Sequence, residues 1–310
     1  MVPSLGETMA RKYMAIILGV LLMGSIVVIP ETAGLSKKPI SPALHKRAVV
    51  VKNHRASPLL LYSSCALVED QLSGEFLVQK NAMAVVPIAS LTKLMTAMVL
   101  LDAGVDLQEL ITIEREDVDT LRHSQSRLPV GTQLTRRDAL LLALMASENR
   151  AANALGRTYP GGRDILVIDM NAKARSLGLS DTFFVDPAGL GGGNVSSAVE
   201  LARMVEVAYE YPLIREFTTC KEAVIQSGRR KLPFHNTNHL VRNSRWKIGL
   251  SKTGFIDEAG RCLVMQAYVG QRPVLIVLLD AQGKFARFGD ANRIRQWMEG
   301  PPPSRKARRA

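Results

Sequence analysis

The chain has 310 residues, enough to bury one large core or two layers that share one. Its hydrophobic content of 47% is that of a globular protein and excludes a wholly disordered chain. The net charge of +12 lies partly in the two ends, and no interleaving of aromatic and basic residues marks a nucleic-acid surface, so no nucleic-acid partner is expected.

Arg11 and Lys12 precede an apolar stretch of 16 residues, Met14 to Ile29, which Pro30-Glu31-Thr32-Ala33-Gly34 closes with small residues. This is the pattern of a secretory signal, residues 1–34, cut near Ala33 or Gly34, with an uncleaved anchor as the alternative and Met9 as an alternative start. Residues 35–57, with Lys37, Lys38, Lys46, Arg47, Lys52 and Arg55, read as a basic linker. Leu59 to Glu69 and Glu75 to Val86 are predicted strands joined by Gln71-Leu72-Ser73-Gly74. An apolar helix follows at Ser90 and stops near Asp102-Ala103-Gly104. Residues 112–132 have mixed polarity and are expected to wrap the surface. Thr135 caps a helix that runs to Ala146, breaks at Ser147 and resumes to Arg157. Tyr159-Pro160-Gly161-Gly162 is a loop, Arg163 to Leu177 a third helix, and Ser197-Ala198-Val199-Glu200 a capping-box start for a fourth, ending near Tyr211-Pro212.

After residue 220 the period changes to two. Ala223 to Gln226 and Arg230 to Leu232 read as a hairpin around Ser227-Gly228. Trp246 to Thr253, Cys262 to Val269 and Pro273 to Asp280 read as strands, the last two joined at Gly270-Gln271, and Ala286 to Glu299 as a closing helix. Residues 299–310 form a basic tail, with a solvated tail as one role and weak association with a membrane or an anionic cell-wall polymer as another. Strands at both ends with helices between imply a mainly antiparallel sheet flanked by helices, an α/β class, holding an inserted all-helical domain at about 103–218. Cys65 and Cys262 sit in apolar strands and are expected to be buried small side chains, and Cys220 leaves the count odd. His235 and His239 are four apart, but Pro233 argues against a helix there, so no metal site is predicted.

Three short motifs carry the chemistry. In Ser90-Leu91-Thr92-Lys93 a serine and a lysine three apart share a helical face, the geometry of a lysine-activated nucleophile. Ser147-Glu148-Asn149 follows an apolar helix. Lys252-Thr253-Gly254 ends a short strand. Each alone reads equally well as a cap, a turn or a strand end. In this order they resemble the signature of serine penicillin-recognising enzymes. The blocks Pro87 to Met98, Leu141 to Ala152, Asn171 to Gly178 and Leu232 to Val241 extend the likeness, and residues 58–298 resemble the D-alanyl-D-alanine peptidase family of low-molecular-mass penicillin-binding proteins, in its endopeptidase branch.

That resemblance implies a β-lactamase/penicillin-binding-protein-like transpeptidase fold with the active site between the sheet and the helical insert. It implies Ser90 as nucleophile, Lys93 as its base and Ser147 as proton relay. It implies Asn149, Lys252, Thr253 and Gly254 as substrate-binding residues, with backbone N–H groups of Ser90 and Phe255 as an oxyanion hole. No cofactor is implied; the partners are cross-linked stem peptides of peptidoglycan, with β-lactams as covalent inhibitors, and the location is the periplasm. A lysine base working near pH 7 needs about three units of pKa depression, roughly 4 kcal/mol. Burial, the helix N-terminus at Ser90 and a second cation, Lys252, all act in that direction. A class A β-lactamase would carry a glutamate motif in the insert, where this chain has Asp186-Pro187-Ala188-Gly189-Leu190. The 56 residues after Gly254 are used by two strands, a helix and the tail, which favours endopeptidase over carboxypeptidase. A non-catalytic cell-wall binding module is the remaining alternative.

Overall fold

The computed structural model describes residues 59–300; the segments expected to be a secretory signal and a basic linker, and the tail beyond residue 300, lie outside the described residues. The chain opens with an antiparallel pair, β1 (Ser63–Asp70) and β2 (Phe76–Lys80). The sequence predicts one strand as far as Val86. The ladder stops at Lys80 instead, because Asn81 turns the chain with a φ of 46°, and Val86–Pro87 forms a separate two-residue strand, β3. A 3-10 turn, Ala89–Thr92, leads into α1 (Lys93–Asp102). Strands β4 (Leu110–Thr112) and β5 (Gln133–Thr135) pair and flank the predicted surface segment. Helices α2 (Arg136–Met145), α3 (Asn149–Arg157) and α4 (Gly162–Ser176) follow. Then come β6 (Val195–Ser196), which pairs with β3, and helices α5 (Ala198–Tyr209) and α6 (Pro212–Thr219). The hairpin β7 (Glu222–Ser227) and β8 (Arg230–His235) precedes β9 (Lys247–Ile256), β10 (Gly260–Val269), β11 (Arg272–Ala281) and α7 (Ala286–Glu299).

The central sheet is antiparallel with order β2-β1-β11-β10-β9, so β9 is an edge strand. Both faces are covered. Cys65, Leu67, Val264, Val277 and Leu279 face one core with helices α1 to α6. Ala66, Val68, Met265, Ile276 and Leu278 face the other with Phe288, Ala291 and Ile294 of α7. A sheet buried twice needs no polar alternation, which is why Val274 to Leu279 is an unbroken apolar run. Helix α1 is buried from Leu94 to Leu100, and a helix apolar all round belongs at the centre of a layer; it packs on α2, α4 and α5. Helix α5 lies directly on β1, β10 and β11.

The local signals hold with two amendments. Thr135 Oγ1 accepts from Asp138 N at 3.0 Å and starts α2. Ser197 caps α5 by accepting from Glu200 N at 3.2 Å, but the Glu200 carboxylate does not reach back to complete a box. It accepts from Asp181 N and from the Thr182 hydroxyl instead. Pro212 ends nothing further: it is the first residue of α6, where its missing N–H is not needed. Cys65, Cys220 and Cys262 are free thiols, the first and last buried. Among the described residues no helix is long and apolar enough to cross a membrane.

Candidate active site

Ser90 lies in the Ala89–Thr92 turn and Lys93 begins α1, so the serine stands before the helix rather than in it. The i, i+3 spacing still works, because side chains three apart eclipse in a 3-10 turn. Lys93 Nζ is 2.8 Å from Ser90 Oγ. Ala89, just before the serine, has φ 48°, a left-handed conformation that costs a non-glycine residue about 1–2 kcal/mol.

Lys93 is 1% exposed. Its amine also donates to Asn149 Oδ1 at 2.8 Å and to the Ala188 carbonyl at 2.6 Å. Burial lowers its pKa to about 7, against the carboxylates of Asp186, Glu148 and Asp119, which favour the charged form. A neutral amine has two N–H bonds and one lone pair. The amine donates to Ser90 Oγ as well, and the Ser90 hydroxyl to Ala188 O at 3.3 Å; once the amine is neutral, with Asn149 and Ala188 holding its two hydrogens, its lone pair would turn to the serine hydroxyl. The second cation expected to lower this pKa is Lys252, also 1% exposed. Its own ammonium is driven well below the usual range, by burial first and then by repulsion from Lys93 and Arg287.

Ser147 forms the break between α2 and α3 with φ 58°, another strained non-glycine position. Its Oγ accepts from Lys252 Nζ at 2.7 Å, so its hydrogen-bond partner is Lys252 rather than Lys93. Glu148, not Asn149, is the N-cap of α3, which frees the Asn149 amide to bridge Lys93 and Ser124 Oγ, the latter at 2.9 Å. Thr253 Oγ1 donates to Thr237 Oγ1 at 2.6 Å. Gly254 is the next residue of β9. A Cβ there would meet Ile88 O at 2.9 Å and Ser90 N at 3.1 Å, so its missing side chain lets β9 press against the nucleophile turn. Arg287 Nη1 donates to Gly254 O at 2.8 Å and fixes that peptide from below.

The sequence marks residues 186–190 only as the place where a β-lactamase glutamate motif is missing, and assigns the segment 186–194 no part in the site. Asp186 Oδ1 accepts from the backbone N–H groups of Ala188 at 2.8 Å and Gly189 at 2.6 Å, and Oδ2 from that of Gly191 at 2.9 Å. Asn194 accepts from Val185 N and Asp186 N and donates to Thr92 Oγ1. Thr96 Oγ1 donates to Pro187 O at 2.7 Å. These bonds hold the Ala188 carbonyl against Lys93. An Asp followed by Pro and Gly does signal a turn, but nothing in the sequence says that the turn's carbonyl faces a lysine 95 residues away.

The site therefore joins a serine, a buried amine of lowered pKa and a second buried lysine on an edge strand, in a fold of one sheet between helical layers. A family model described as D-alanyl-D-alanine carboxypeptidase matches residues 52–283. The chain belongs to the D-alanyl-D-alanine carboxypeptidase family. As a member of that family it is a serine-type hydrolase. It is 48% identical over 241 residues to a D-alanyl-D-alanine endopeptidase of Pseudomonas aeruginosa, covering 77% of this chain and 78% of that one. It is 43% identical over 246 residues to a D-alanyl-D-alanine endopeptidase of Escherichia coli, covering 79% of each. A solved D-alanyl-D-alanine carboxypeptidase from Mycobacterium tuberculosis superposes with a TM-score of 0.70 at 26% identity, over 82% of this chain and 97% of that one. The antiparallel sheet with flanking helices is thus the penicillin-binding-protein fold of the carboxypeptidase family.

Proposed function

We propose that the chain is a serine D-alanyl-D-alanine endopeptidase that hydrolyses D-Ala–meso-diaminopimelate cross-links in peptidoglycan through an ester on Ser90. The observation that carries the chemistry is the buried Lys93 amine, 2.8 Å from Ser90 Oγ, with Asn149 Oδ1 and Ala188 O as its other two acceptors. Ser90 Oγ attacks the D-Ala carbonyl carbon while Lys93 takes the hydroxyl proton. The tetrahedral intermediate collapses, the C–N bond breaks, and the proton that Lys93 took passes by way of Ser147 to the leaving amine, which returns Lys93 to its neutral form. Lys252, hydrogen-bonded to Ser147, poises that hydroxyl. Water then attacks the ester with Lys93 as base again, and Ser90 recovers its proton. The peptide lies along the open edge of β9 beside Lys252 and Thr253. β-Lactams acylate the same serine.

The two endopeptidase relatives, matched over more than three quarters of their length, support the cross-link as substrate. The family model's own description supports carboxypeptidase action as the second reading. The N-terminal apolar stretch supports export to the periplasm, with residues 1–34 as signal and 58–298 as the peptidase domain. Labelled benzylpenicillin followed by peptide mapping tests the mechanism: an ester on Ser90 is expected, Ser90→Ala should fold and lose it, and no adduct on Ser90 in folded protein would overturn the mechanism. Chromatography of digested muropeptides separates the substrates, with cross-linked dimers expected to be consumed faster than free pentapeptides.

A further inference from the structure

The two acceptors that orient the Lys93 amine hang on different segments. Asn149 Oδ1 is steadied through its amide nitrogen by Ser124, which sits in the 119–124 loop tied to the Asp119 carboxylate through Leu121 N, Arg122 N and Ser124 N. Ala188 O sits in the 186–191 segment tied to Asp186. Arg122 joins the two. Its Nε donates to Leu190 O at 3.1 Å, and its Nη2 lies 2.7 Å from Glu258, in the turn between β9 and β10. Gly192 packs beside the same glutamate, where a Cβ would lie 3.8 Å from Glu258 Cγ. The Arg122 side chain is 24% exposed and spans the three segments that wall the site.

We propose that Arg122, braced by Glu258, is a positioning residue that holds the Asn149 and Ala188 acceptors around the Lys93 amine and thereby keeps Lys93 able to act as a base. The inference rests on Lys93 acting as the base of Ser90. Without the brace the two loops separate and water reaches the amine, so the two hydrogens lose their fixed acceptors and the lone pair its direction. The charged groups facing Lys93 are Asp186 on its own segment, Asp119 on the Arg122 loop, Glu148 at the start of α3 and Lys252 on β9.

The test is the pH profile of Ser90 acylation by benzylpenicillin, measured for the full chain, Arg122→Gln, Arg122→Lys, Glu258→Gln and the Arg122→Gln/Glu258→Gln pair, each checked by thermal melting. Arg122→Gln is expected to acylate on the order of tenfold more slowly at neutral pH and to need a higher pH, through the acylation rate constant rather than binding. Arg122→Lys keeps the charge but cannot hold Leu190 O and Glu258 together, so it should share the alkaline displacement. The double variant should be no slower than Arg122→Gln alone. A folded Arg122→Gln with a wild-type profile would overturn the proposal, as would full rescue by Arg122→Lys, which would assign the effect to charge. Failure of the wild-type chain to acylate Ser90 would instead overturn the base assignment, and this inference with it.

Discussion

Lys93 is held between opposing influences, and the balance is measurable. Burial lowers its pKa to about 7 while three carboxylates favour the charged form. Only the neutral amine accepts the serine proton, so acylation should rise with pH through about 7. Glu148→Gln keeps the oxygen that accepts from Arg150 N and removes one of those carboxylates. The rise should therefore move to lower pH, read from acylation rates across a pH series; a shift to higher pH would mean that loop disorder outweighs the charge. The same lowered pKa acts on stability. Between about 7 and the ordinary lysine value of 10.5 the unfolded chain binds more protons at this group than the folded one. Its contribution thus rises with pH across that window, and its penalty is complete below it. Ser90 and Lys93 were legible in the sequence because their contact is local. The Ala188 carbonyl was not, because a backbone oxygen has no letter of its own.

At the scale of elements, the close approach of three chain segments is enforced by absent side chains. Gly189, at φ +76°, would place a Cβ 2.0 Å from Ala89 O and 2.8 Å from Ser90 N. Gly189→Ala must push the 186–191 segment off the nucleophile turn. A loss of about 2 kcal/mol or more in stability is expected, with at least tenfold slower acylation, measured by denaturant melts and by adduct formation. Gly192→Ala, whose nearest contact is 3.8 Å, should stay within about 0.5 kcal/mol of the parent. Helix starts at Thr135 and Ser197 were readable because capping is a short-range hydrogen bond. The overlong second strand and the missed α6 have the opposite cause. Val85 and Val86 are β-branched and suggest a strand that Asn81 has already ended, and Pro212 looks like a stop when it is a first turn.

Across the whole molecule, charge is unevenly placed. Twelve of the 40 Lys and Arg residues, but only two of the 28 Asp and Glu residues, lie outside residues 59–300. The described body is therefore near neutral, and the basic character belongs to the ends. Deleting residues 301–310 should reduce salt-sensitive sedimentation with anionic vesicles while leaving Ser90 acylation unchanged. Equal sedimentation would place the attraction elsewhere. The site itself is spread as widely as the charge. Lys252 meets Ser147 across 105 residues of sequence, and Lys93 meets Ala188 across 95. No stretch of chain shorter than most of the domain can assemble it. A half-folded molecule, with β9 to β11 not yet in the sheet, has a serine and a lysine but neither the second lysine nor the wall beside Gly254. Hydrolysis therefore waits on the long-range pairings that bring β9 beside the serine, whatever the state of the local Ser90–Lys93 turn.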